Sequence, residues 1–184
     1  MRPRTSHDTP LMIDSLDLPA ADGGGRIGMT FCPGKQDPYA LSGPWLRDLD
    51  MDLDAIRDWG ATAHVCLLEE HELKLLNVTG LPAGARERGL AWLHLPIRDV
   101  DIPDERFEQR WPEAGADLRG RLRNGESILV HCRGGLGRTG IVACRLLIEL
   151  GETPERALAR VREARPGTVE NHRQERYVLG LGRG

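Results

Sequence analysis

The chain has 184 residues, of which 29% are charged and 40% hydrophobic, and its formal net charge is -3. This length carries one domain with a full core and not two comfortable ones. The charge balance excludes a general basic surface for nucleic acid, and no run of eighteen apolar residues offers a membrane span. Residues 1–25 mix Pro, Asp, Ser and Gly without sustained periodicity and end in "ADGGG", so they are expected to form a flexible leader ahead of a folded domain over residues 26–184. No apolar run of signal-peptide length follows the first arginines, which points to a cytoplasmic protein.

Short β-forming runs and amphipathic segments alternate from Arg26 onward. "RIGMTF", "ATAHVCLL", "LAWLHLPI" and "SILV" predict strands. "GPWLRDLDMDLDAIRDWG" places Leu46, Leu49, Leu53 and Ile56 at helical spacing and stops at Gly60, which predicts a helix. A segment apolar almost all round, "RTGIVACRLLIELG", predicts a helix buried beside the sheet. The next, "TPERALARVREARPG", has Thr153 as N-cap and Pro154 at its first position. The expected fold is α/β: one domain with a central, largely parallel sheet flanked by helices.

The stretch "HCRGGLGRTG" joins the fourth predicted strand to the buried helix. Gly135, Gly137 and Gly140 satisfy G-x-G-x-x-G, but no second βα unit with an acidic residue follows, so the dinucleotide fingerprint lacks its context. Arg138 likewise stands where a P-loop needs Gly-Lys. A more demanding pattern overlaps it: Cys132, five residues, then Arg138. A loop curling into a helix N-terminus turns amide N–H groups toward an anion, and the helix dipole adds positive potential. The backbone of Arg133, Gly134, Gly135, Leu136 and Gly137, with the fork of Arg138, therefore suits a phosphate. The same field suits a sulfur nucleophile at Cys132. Thr139 is placed to give its hydroxyl to that sulfur, and His131 to support the loop through backbone hydrogen bonds.

"HCRGGLGRTG" resembles the Cys-x5-Arg signature of the protein tyrosine and dual-specificity phosphatases. "GRIGMTFCPGKQD" and "PIRDVDIPD" extend the resemblance, most closely to the kinase-associated phosphatase (cyclin-dependent kinase inhibitor 3) family. It covers about residues 26 to 180. The resemblance implies a cysteinyl-phosphate intermediate formed without metal or organic cofactor, and a phosphorylated protein or peptide as substrate. It also implies a carboxylic acid that protonates the leaving oxygen and then activates water, in the pattern Pro, hydrophobic, any residue, Asp, which Pro96-Ile97-Arg98-Asp99 matches. Asp101 is the alternative, and Asp104 is better explained as a helix N-terminal residue. Relatives place a glutamine near the C-terminus to help hydrolysis. Gln174 matches it, Glu170 stands where an additional glutamine is often found, and Asn171 is a possible substitute.

Other residues carry plainer expectations. Trp111-Pro112-Glu113 looks like the acid loop of larger tyrosine phosphatases, but too little chain separates Glu113 from Cys132 for the helix and strand between them. Cys66 and Cys144 fit the core, whereas a disulfide from Cys32 to Cys132 is open. No Cys-x-x-Cys pair or dense cysteine framework suggests zinc or a secreted scaffold. His64 and His94 are expected as hydrogen-bonded core residues, and Trp45, Trp59 and Trp92 as core anchors. Two competing functions use the same loop: a catalytically silent phosphoprotein-binding module, and a sulfurtransferase or arsenate reductase.

Overall fold

In the computed structural model, which describes residues 1–182, strands and helices alternate along most of the chain. The strands are β1 (Asp14–Asp17), β2 (Arg26–Thr30), β3 (Gln36–Asp37), β4 (Trp45–Leu46), β5 (Ala61–Cys66), β6 (Ala91–His94) and β7 (Ser127–His131). The helices are α1 (Leu49–Trp59), α2 (Glu70–Leu75), α3 (Leu81–Glu87), α4 (Glu105–Arg123), α5 (Gly137–Glu149), α6 (Pro154–Ala164) and α7 (His172–Gly180). The main sheet runs β1-β2-β7-β5-β6. Only β1 is antiparallel to its neighbour.

Alternation along β7 shows why the sheet has two covered faces. Ile128 and Val130 point into the core that contains Phe107, Leu118, Ile141 and Leu158, while Leu129 points into the core that contains Leu53, Ile56 and Leu81. A strand buried on both faces needs no polar residue on either, so "SILV" reads as one apolar run. Register then aligns the strand ends: Thr30 pairs with His131, Cys66 with His131, and Cys66 with His94. The loops that follow β2, β5, β6 and β7 consequently emerge at one carboxyl edge, where open α/β sheets bind ligands.

Two expectations are corrected. The leader is not separate from the fold: β1 pairs with Arg26–Met29, Leu16 and Leu18 are buried, and Ser6 accepts a hydrogen bond from Asp48 N at 2.8 Å. A four-residue strand is too short to show periodicity, and its partner lies beyond a turn. The helix expected from residue 43 begins only at Leu49. Asp48 caps it by accepting from Met51 N at 2.8 Å, which leaves Trp45 and Leu46 extended and paired with Gln36 and Asp37. The later helices start and stop as expected, with Thr153 accepting from Arg156 N. Asp104 likewise caps α4 through Phe107 N at 3.1 Å.

Candidate active site

The loop after β7 forms the floor of a cavity of about 450 Å³ at the carboxyl edge. Cys132 is 3% exposed, and its Sγ accepts a hydrogen bond from Thr139 Oγ1 at 3.1 Å. His131 is buried, with Nδ1 3.1 Å from the Cys132 carbonyl oxygen. Burial pulls the ring down to about 4, so it is neutral at pH 7. Gly135 has φ +72°, and a Cβ there would overlap the Thr30 backbone. Glycine is required at that turn.

Donors outside the loop take its carbonyls. Cys32 N reaches Arg133 O at 3.1 Å, and Arg165 donates to Gly135 O at 2.7 Å and Gly134 O at 3.1 Å. Asp14, on β1, holds Arg165 at 2.8 Å. The segment expected as a leader thus braces the loop from behind. With the carbonyls engaged, the loop amides are left for a ligand, and α5 begins at Gly137 immediately beneath.

Arg138 is 1% exposed, and its four terminal N–H groups are all engaged. It forks onto Glu72 at 2.7 and 2.9 Å, donates to Ile97 O at 3.0 Å, and gives its last terminal proton to Asp99 at 3.0 Å. Burial alone would raise Glu72, but the hydrogen bonds and charge of Arg138 hold it below the usual carboxylate range. Glu72 escaped the sequence reading, since α2 is one short helix with no motif around it. The capping box that seats it, Glu69 N to Glu72 Oε2 at 2.8 Å, is the only local signal.

Asp99 lines the cavity, and half of its side chain is exposed. Asp101 does not line it and instead pairs with Arg173 at 3.3 Å. Glu113 lies in a separate groove beside Trp92, and Trp111 is buried with its indole N–H on Glu149. Arg133 reaches the cavity wall, but its side chain is tied to Asp37 at 2.6 Å. A cation that sequence reasoning missed stands nearby. Lys35 is buried, packs 4.1 Å from the Trp45 ring and donates to Arg133 O, and burial pulls its ammonium down to about 8.

The C-terminal segment closes the cavity. Gln174 is completely buried: its oxygen accepts from Glu170 N at 3.0 Å and its nitrogen donates to Asp101 O at 3.1 Å. Asn171 caps α7 and donates to Val100 O at 2.9 Å. Glu170, rather than Gln174, lines the cavity.

Among the described residues, the four thiols are free and no helix is long and apolar enough to cross a membrane. His94 bonds Leu68 O at 2.6 Å. His64 departs from expectation: both ring nitrogens lack a partner, because the ring is packed against Trp92 and His131 as an aromatic. Trp45 is a buried anchor, whereas Trp59 and Trp92 are only half-buried against the core.

Residues 43–152, more than half the chain, match the family described as "Polymorphic toxin system, DSP-PTPase phosphatase". The chain belongs to this family. Rat cyclin-dependent kinase inhibitor 3 is 27% identical over 179 residues, spanning 96% of this chain and 81% of the relative. Mouse dual specificity phosphatase 28 is 32% identical over 97 residues, 52% of this chain and 58% of that protein. The solved structure of kinase associated phosphatase, with its catalytic-site cysteine replaced by serine, superposes with a TM-score of 0.82 at 26% identity over 94% of both chains. Tk-PTP in its active form matches with a TM-score of 0.63 at 29% identity, covering 83% of this chain and 88% of that one. Fold, family and relatives assign a phosphatase function of the dual-specificity and tyrosine type. They do not favour the silent module or the sulfurtransferase and arsenate-reductase alternatives.

Proposed function

We propose that this chain hydrolyses phosphomonoesters on a phosphorylated protein or peptide through a cysteinyl-phosphate intermediate at Cys132, without metal, in the cytoplasm. The observation that carries the reading is the contact of Thr139 Oγ1 with Cys132 Sγ on the floor of a cavity whose rim holds Asp99 against Arg138. Phosphate enters over the loop amides of residues 133–137 and takes the terminal N–H of Arg138 that Asp99 now occupies. Released from the arginine, the Asp99 carboxyl turns toward the leaving oxygen and supplies its proton. Cys132 Sγ attacks phosphorus, and the Thr139 hydroxyl supports the sulfur when it later departs.

Substrate class follows from the walls. Arg133 is spent on Asp37, and the cavity mouth carries Tyr39 and Leu41, both almost fully exposed. An aromatic and an aliphatic side chain beside the phosphate cup suit the flank of a polypeptide. A relative's name ties it to cyclin-dependent kinases, which makes a phosphorylated kinase one candidate substrate.

The test is hydrolysis of para-nitrophenyl phosphate in EDTA by the native chain and by Cys132→Ser. Turnover that persists in EDTA, yields to vanadate and falls on the order of 10⁴-fold or more in Cys132→Ser supports the reading. Turnover undiminished in Cys132→Ser overturns it.

A further inference from the structure

Hydrolysis of a cysteinyl-phosphate needs an acceptor for a proton of the attacking water, and the residue expected to help, Gln174, has no free group. Both ends of its amide are engaged, to Glu170 N and Asp101 O, and it also hydrogen-bonds the Glu170 carboxyl. Glu170 is the side chain that this network delivers to the cavity. Its carboxylate lies against Gly137, where a Cβ would overlap it, at the start of α5. It lines the same cavity as Cys132 and Asp99.

The backbone on either side of the cavity is strained to make this arrangement. Val100 and Val169 both have φ +55°, a left-handed conformation that β-branched residues rarely adopt. Each is the chain neighbour of one cavity carboxylate, Asp99 in the first case and Glu170 in the second. Such conformations cost on the order of 1–3 kcal/mol and persist where surrounding contacts impose them. Those contacts are Val169 N to Leu136 O at 3.2 Å and Asn171 Nδ2 to Val100 O at 2.9 Å. The start of α7 therefore ties the two loops together, with their carboxylates converging on one space.

The two carboxylates differ in their partners. Asp99 is paired with Arg138, whereas Glu170 has no ion-pair partner among the described residues. Partial withdrawal from water, and then the charge of Asp99, raise the proton affinity of Glu170, against the smaller opposing pull of Arg138 and Gln174. A carboxylate with raised proton affinity and no cation of its own is suited to take a proton.

We propose that Glu170 is a catalytic base of the second half-reaction, receiving the proton of the water that attacks the phosphoryl group on Cys132. The water oxygen bonds to phosphorus as the P–S bond breaks, its electron pair returns to Cys132 Sγ, and the water proton passes to the Glu170 carboxylate. Phosphate then leaves and Glu170 returns the proton to solvent. Asp99 keeps the first half-reaction, protonating the leaving oxygen.

This inference rests on the cysteinyl-phosphate reading, and rapid mixing with para-nitrophenyl phosphate separates the two. Glu170→Gln preserves shape and hydrogen bonding but cannot accept the proton. The expected result is release of the first equivalent of nitrophenolate within about 3-fold of the native rate, with later turnover slowed about 10²-fold or more. Phosphate should accumulate on the variant and be absent from the double variant with Cys132→Ser. Unchanged steady-state turnover in Glu170→Gln overturns the role, as does an equal fall in the first and later turnovers. A native chain that releases no nitrophenolate, or one whose turnover survives Cys132→Ser, defeats the phosphatase mechanism itself and the role of Glu170 with it.

Discussion

Cys132 on the floor of the cavity, and Arg138 and Thr139 beneath it, are at most 3% exposed, and each has its partner inside the domain. At the rim, Asp99 keeps half of its side chain in water, Glu170 is exposed, and their neighbours Val100 and Val169 hold left-handed backbone. The side chains of the floor have their partners before substrate arrives and only the loop amides are left open, so little reorganisation is needed when charge develops. In the proposed mechanism the rim has to move, since Asp99 occupies an Arg138 donor that phosphate would take. Preorganisation and motion are thus divided between two structures a few residues apart in space but far apart in sequence.

The largest effect should come from the floor's hidden partner. Glu72→Ala leaves the Arg138 guanidinium without its buried carboxylate and with only the half-exposed Asp99, a loss of about 3–5 kcal/mol that urea denaturation would record. A loss below about 1 kcal/mol would mean that water reaches Arg138 and that the floor is no more closed than the rim. Next is the rim. Asp99→Asn should lower kcat by about 10²- to 10⁴-fold for phenyl phosphate, and far less for an ester whose leaving group needs no proton. An equal loss for both esters would remove Asp99 from the role of acid and leave it as a latch on Arg138.

Acid should loosen the floor without requiring the rim. The folded His131 titrates near 4, below the ordinary value of 6.5, so between these values the unfolded chain binds the extra proton. Its stability contribution is therefore complete above about pH 6.5 and is lost as pH falls, by roughly 2 kcal/mol at pH 5. His64, held neutral by burial, acts in the same direction. Thermal melting from pH 7 to 5 would show the slope, and His64→Phe should flatten it; an unchanged slope in that variant would assign it to other groups. The smallest effect concerns the brace behind the floor. Asp14→Ala removes one ion pair while Arg165 keeps its bonds to Gly134 and Gly135, so about 0.2–1 kcal/mol and little change in KM are expected. A larger drop in activity would make β1 part of the functional site.

Cys132, Arg138 and Thr139 were legible because they lie within eight residues on one strand-loop-helix unit, where spacing alone dictates proximity. The parallel sheet was legible for a related reason: apolar runs buried on both faces alternate with capped helices. Asp99 was reached through its resemblance to a family pattern, and its contact with Arg138 is made by the parallel register of β5 with β6 and β7, which no local signal encodes. Gln174 was singled out by position, yet burial turned it inward and left the cavity to Glu170. Lys35 and Arg165 carried no sequence signal and Glu72 only that of a helix cap, because a lone charged residue in a short helix or turn looks like any solvated one until packing removes its water. The sequence by itself determined the Cys132–Arg138 loop and the class of fold, since these depend on contacts a few residues apart. Only the tertiary structure decided which carboxylates meet that loop and which cations brace it, because those contacts join four strand ends through the register of the sheet.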